Sequence, residues 1–163
     1  MSPKGRAECP GAVASGGWIR APLLVAVAPL SYLCDMYVPG ELPDVDAVEV
    51  VDLRGVAPTE AVATLQRARG AVRLEGAAAA EIAKLWRGLP PGEMMRCHIP
   101  GFGLRFWRGD QVVVLASLCW KCNNARGLVD DVSIGFSFDG DSQAARTLLR
   151  RCKAAVGDLL WWL

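Results

Sequence analysis

Residues 103–118 read Gly103-Leu104-Arg105-Phe106-Trp107-Arg108-Gly109-Asp110-Gln111-Val112-Val113-Val114-Leu115-Ala116-Ser117-Leu118. Two apolar runs, 103–107 and 111–118, flank a short polar break. Gly109 supplies the positive φ that a tight hairpin turn wants, so the stretch reads as two antiparallel strands. Arg108-Gly109-Asp110 also spells an integrin-binding tripeptide. Gly and Asp are ordinary turn residues, and the hairpin alone accounts for them.

Working outward, the period-two pattern returns at 132–138, with Val132, Ile134, Phe136 and Phe138 on one face and Ser133, Gly135 and Ser137 on the other. That is a half-buried strand. Asp139-Gly140-Asp141 makes the next turn, and its pair of carboxylates is too few for a calcium loop. Asp141 or Ser142 can cap a final helix by accepting a hydrogen bond from a free first-turn amide. Its buried stripe is Ala145, Leu148, Leu149, Cys152 and Val156, while Arg146, Arg150 and Lys153 form a basic ridge that reads as a solvated face.

Upstream, 47–53 reads as a strand carrying Val48, Val50 and Val51. The acids Asp35, Glu41, Asp44, Asp46, Glu49 and Asp52 lie in a stretch without Lys or Arg. Pro39-Gly40 and Pro43 mark its first part as irregular and solvated rather than catalytic. A helix runs from Pro58 to Gly70, with Val62, Leu65 and Ala68 inward. A short strand at 71–74 leads to a second helix at 77–89, where Ile82, Leu85 and Trp86 make an apolar stripe before Pro90-Pro91-Gly92 ends it. The pattern predicts an α+β fold, an antiparallel sheet of about three to five strands with the helices packed on one face.

At 163 residues, 52% hydrophobic and 21% charged, the chain can close a core without disulfide staples and is not intrinsically disordered. Eighteen Lys plus Arg against seventeen Asp plus Glu leave a net charge of +1, with no bulk field for nucleic acid or an anionic membrane. Residues 1–17 read as a flexible arm and 18–163 as a single domain. The apolar run 18–33 is interrupted by Arg20, Pro22 and Pro29 and falls short of the roughly 20 residues a membrane span needs. Residues 23–28 read instead as a buried strand. Glu8 and the Pro29 after Ala26-Val27-Ala28 disfavour an export signal, and Leu33 before Cys34 disfavours a lipoprotein site. A cytoplasmic protein with reduced thiols is the expectation. Leu159, Leu160, Trp161 and Trp162 leave apolar surface at the far end to be covered by the domain, a protein partner or a second copy.

Chemistry has one place to gather. Of six cysteines (Cys9, Cys34, Cys97, Cys119, Cys122 and Cys152), only Cys119 and Cys122 form a close motif, and His98 is the single histidine. The hairpin brings Cys119 and Trp120 back towards Pro100 and Ile99, and so brings Cys97 or His98 near the C-x-x-C pair. Three readings compete. Zinc would take Cys119, Cys122 and one of Cys97 or His98, with a fourth ligand unassigned, because adjacent residues of an extended chain point to opposite faces. A thiol–disulfide site would use Cys119 and Cys122 with Lys121 favouring a thiolate, but no helix follows to support it. The structural reading makes the cysteines small apolar residues, hydrogen-bonds His98, and gives Asn123-Asn124 to the exit turn. Cys–His nucleophilic catalysis lacks an orienting third residue and an oxyanion signature, and Gly101-Phe102-Gly103 is not a phosphate loop.

The start Cys97-His98-x-Pro100-x-x-Gly103-Leu104-Arg105, the strand end Ser117-Leu118-Cys119-x-x-Cys122-Asn123 and the lead Phe138-Asp139-Gly140-x-Ser142 resemble an uncharacterised family of small bacterial proteins. The resemblance covers about residues 75–155. It implies a C-terminal module and brings no activity, cofactor or partner. The expected function is a non-enzymatic binding or interaction protein in which Cys97, His98, Cys119 and Cys122 form a structural cluster able to hold zinc. A thiol–disulfide protein using Cys119 and Cys122 is the alternative.

Overall fold

The two apolar runs around Gly109 do form the central hairpin, β3 (Phe102–Arg108) and β4 (Gln111–Cys119). In the computed structural model, which describes residues 37–68, 70–93 and 96–157, Gly109 takes φ +57°. Its amide donates to Asp46 Oδ2 over 2.7 Å, so the Arg-Gly-Asp tripeptide is a turn tied to the residue just before the strand Ala47–Asp52. The 1–17 arm, the strand expected at 23–28 and the apolar residues Leu159, Leu160, Trp161 and Trp162 lie outside the described residues.

Around that hairpin the sheet grows to six antiparallel strands. β1 (Ala47–Asp52), β2 (Val72–Glu75), β5 (Asn124–Val129) and β6 (Val132–Ser137) join it in the order β2-β1-β3-β4-β5-β6. The α+β class stands, with six strands rather than three to five. The additional strand is β5, whose sequence Asn-Ala-Arg-Gly-Leu-Val has no clean alternation. It turns into β6 through Asp130 and Asp131, both at positive φ (44° and 64°), a turn in which Gly or Asn is the usual signal.

Three helices, α1 (Ala61–Arg67), α2 (Gly76–Arg87) and α3 (Gln143–Ala155), cover the sheet. They do not share one face. Val48, Val50, Leu104, Phe106, Ala116 and Leu118 point to the side where Ile82, Trp86, Leu148 and Cys152 of α2 and α3 complete the main core. Their odd-numbered neighbours Val51 and Leu115 point the other way and pack with Leu65 and Ala61 of α1. Period-two alternation makes both faces apolar over the central strands, and each therefore needs a cover. Trp86 is a core residue as its spacing predicts, fully buried, with Nε1 donating to Tyr37 Oη over 3.2 Å.

Gly103 is where α1 meets the sheet. A Cβ there would overlap the Leu65 side chain, so glycine lets the helix sit down. Arg105 then holds the C-terminal end of α1, donating to the carbonyls of Leu65 and Ala68 over 3.2 Å each and pairing with Glu49 at 2.6 Å. The acidic stretch is occupied in the same way, with Asp52 bound to Arg54, Glu49 also facing Arg73 at 3.5 Å and Asp44 near Arg87 at 3.4 Å. Among the described residues no helix is long and apolar enough to cross a membrane.

Candidate functional site

α1 lies mainly over β3 and β4 and reaches β5, leaving part of its face of the sheet uncovered. Beside it, the segment entering β3 lies across the remainder, because the sheet presents polar partners there. Ser117 of β4 and Asn124 of β5 project to that side and are buried. His98 fits between them, with Nδ1 2.7 Å from Asn124 Oδ1 and Nε2 2.8 Å from Ser117 Oγ. Asn124 Nδ2 in turn donates to the Cys97 carbonyl over 2.6 Å, which fixes Oδ1 as the acceptor facing the ring. Nδ1 therefore carries a proton. Burial, the leading cause, and the nearby Arg126 charge depress the His98 pKa against the opposing hydrogen bond that the ring donates to Asn124. In the neutral ring Nε2 accepts from the Ser117 hydroxyl. The Arg126 carbonyl, 3.0 Å away, is the other acceptor for that hydroxyl proton.

A Ser–His–Asn series has the order of a nucleophilic relay, but its setting is that of a clamp. Ser117 is 1% exposed and His98 5%, so both side chains are enclosed by the fold. The sequence presents Ser117 as part of a motif and Asn124 as part of a turn; their meeting on one histidine depends on the β4–β5 register, in which Ser117 lies opposite Arg126 and Cys119 opposite Asn124.

The clamp delivers Cys97 to the end of β4. Cys97 and Cys122 form a disulfide with their Cα atoms 6.0 Å apart and a sequence separation of 25. This departs from the expectation of reduced thiols, for a physical reason. Pairing of β3 with β4 stops at Phe102 opposite Leu118, and the chain before it swings across the sheet to reach the C-x-x-C turn. Cys119 is left as a buried free thiol; the Cys122 amide donates to its Sγ over 3.2 Å, folding the four residues into one tight turn closed by Asn123 at φ 49°. Cys152 lies in the core as its helical position predicts, and burial pushes its thiol up to about 12.

The four candidate metal ligands are thus not gathered around one point. Cys97 and Cys122 are bonded to each other, Cys119 lies beneath the turn, and both ring nitrogens of His98 face protein groups. Among the described residues no group of three or more His, Cys, Asp or Glu is placed to hold a metal ion. The redox pair is also rearranged, since the partner of Cys122 is Cys97 rather than Cys119.

One open feature adjoins the cluster. A cavity of about 570 Å³ lies at the end of the sheet where β1 and β4 finish and β3 begins, between Ile99, Pro100 and Phe102 on one side and Trp120, Lys121 and Leu149 on the other. Trp120 stands edge-on to Phe102 and Phe138, with ring centroids 6.0 and 5.8 Å apart. Sequence reasoning assigns this cavity no role, because its walls come from four separated segments. Comparison with protein-family models, with curated proteins and with solved structures finds no match.

Proposed function

We propose that this chain is a non-enzymatic binding protein, in which the Cys97–Cys122 bond and the His98 clamp hold the segment entering β3 and the turn leaving β4 as a recognition surface. One observation carries the reading: the groups that could do chemistry are buried or already have partners within the fold, Cys97 being exposed but bonded to the buried Cys122. His98 is held by Ser117 and Asn124, Cys97 by Cys122, and Cys119 is buried. Facing outward are Ile99, at 55% exposure beside the cavity, and with it Arg96, Cys97 and Lys121. Buried, fully partnered polar groups specify and rigidify a site, and rigid walls suit binding better than turnover.

A second reading, a thiol–disulfide protein, is favoured by a different observation. Cys119 shares a tight turn with Cys122. As a thiolate, Cys119 can attack Cys122 Sγ; the new Cys119–Cys122 bond forms as the Cys97–Cys122 bond breaks, and Cys97 leaves as a thiolate. Electrons balance without an outside oxidant.

The test is to assay the oxidised protein for dithiol-driven reduction of insulin, with metal content measured on the same preparation. A binding protein gives the uncatalysed rate and no stoichiometric zinc. A rate above background that disappears in Cys119→Ala and Cys122→Ala establishes the second reading instead. About one zinc per chain, released with loss of fold on chelation, would overturn the disulfide-held arrangement.

A further inference from the structure

We propose that the cavity beside the disulfide binds a small organic anion with an apolar body, the size class of a medium-chain carboxylate. The inference rests on the binding-protein reading and names the ligand class for its site. Size is the first support: about 570 Å³ falls inside the range of roughly 300–1,000 Å³ typical of small-molecule sites.

Charge is the second. Bases and acids are nearly balanced over the chain, 18 against 17, yet among the described residues the lining of this cavity includes Arg54, Lys121 and Lys153 and no acid. Arg54 shares its charge with the neighbouring Asp52, Lys121 adds an ammonium group from the turn, and Lys153, itself engaged with another group, brings one from α3. Between these cations the lining is apolar, from Ile99, Pro100, Phe102, Trp120 and Leu149. Apolar walls under a cationic rim match a ligand with a hydrocarbon or aromatic body and one negative end.

Preorganisation is the third support. The Gly101 amide donates to the Leu118 carbonyl over 2.9 Å and its carbonyl accepts from Leu53 over 3.0 Å, so this wall is fixed on both sides. Cys97 precedes that wall by a few residues, while Trp120 and Lys121 lie inside the C-x-x-C turn, so the Cys97–Cys122 bond ties the two walls together. A ligand entering walls already in place loses less to ordering.

Three probes of one chain length separate the contributions: decanoate, decanol and decyltrimethylammonium, titrated calorimetrically below their micelle concentrations into the oxidised full chain. Decanoate is expected to bind one per chain and at least about tenfold more tightly than decanol, with the cation weakest. Lys121→Glu and, separately, Lys153→Glu should each erode that preference by about threefold or more, with circular dichroism confirming that the fold is kept. Equal affinity for anion and alcohol, indifference of decanoate to both lysine variants, or no binding of any probe would each overturn the proposal. Insulin reductase activity would overturn the binding-protein reading and leave this result to be judged on its own.

Discussion

His98 shows how a residue typical of catalysis becomes structural. Its ring is buried and its two nitrogens face Asn124 and Ser117, so truncation strands two buried partners. His98→Ala is expected to cost about 2–4 kcal/mol, read as a lower urea midpoint. The ring also makes stability depend on pH in a definite direction. Burial depresses its pKa below the ordinary 6.5, so the unfolded chain takes up the proton first. The stabilisation is complete above about pH 6.5 and is lost as pH falls from there through the lower folded value. His98→Gln should remove that part of the acid dependence between pH 7 and 5 while the carboxylates continue to titrate at lower pH. An unchanged profile in the variant would show that the ring titrates alike in the folded and unfolded chain.

At the scale of elements, much of the architecture is legible because it follows from local rules. The hairpin around Gly109, the alternation of β6 and the Ser142 cap are each written in a few adjacent residues, and Ser142 Oγ does accept from the Ala145 amide at 3.2 Å. Ser142→Ala should therefore cost about 1 kcal/mol, measurable as a small fall in melting temperature. The unread elements depend on distant partners. β5 has Arg126 and Gly127 where a strand would show apolar residues, and it becomes a strand because β4 and β6 flank it. Placement of α1 opposite α2 and α3 is equally nonlocal, since all three helices have ordinary apolar stripes. It turns on Gly103, where the Leu65 side chain presses onto β3. Gly103→Ala is expected to lose about 1–3 kcal/mol by overpacking, with the urea slope unchanged if α1 merely lifts. A neutral substitution would mean that Leu65 repacks freely.

For the whole molecule, the decisive feature is one the sequence presents as three competing chemistries. Cysteine spacing shows Cys119 and Cys122 as a pair, but the fold gives Cys122 to Cys97 through the swing of the chain over Ser117 and Asn124. Closing a loop of 25 residues restricts the unfolded chain by about 3.5 kcal/mol in the loop-entropy account. That is a large share of the roughly 5–15 kcal/mol that holds a typical domain folded. Adding reductant, or replacing both residues as Cys97→Ala with Cys122→Ala, should lower the melting temperature by roughly 10 °C. The two treatments should not add, since each removes the same bond. Cys152→Ala is the contrasting control, acting through a small cavity in the core and independently of reductant. In a reducing cytoplasm the bond would open, and the melt measured with reductant then describes the protein in that compartment. Were oxidised and reduced protein to melt together, the staple would contribute nothing to stability. The His98 clamp would then be what holds the two walls of the cavity in register.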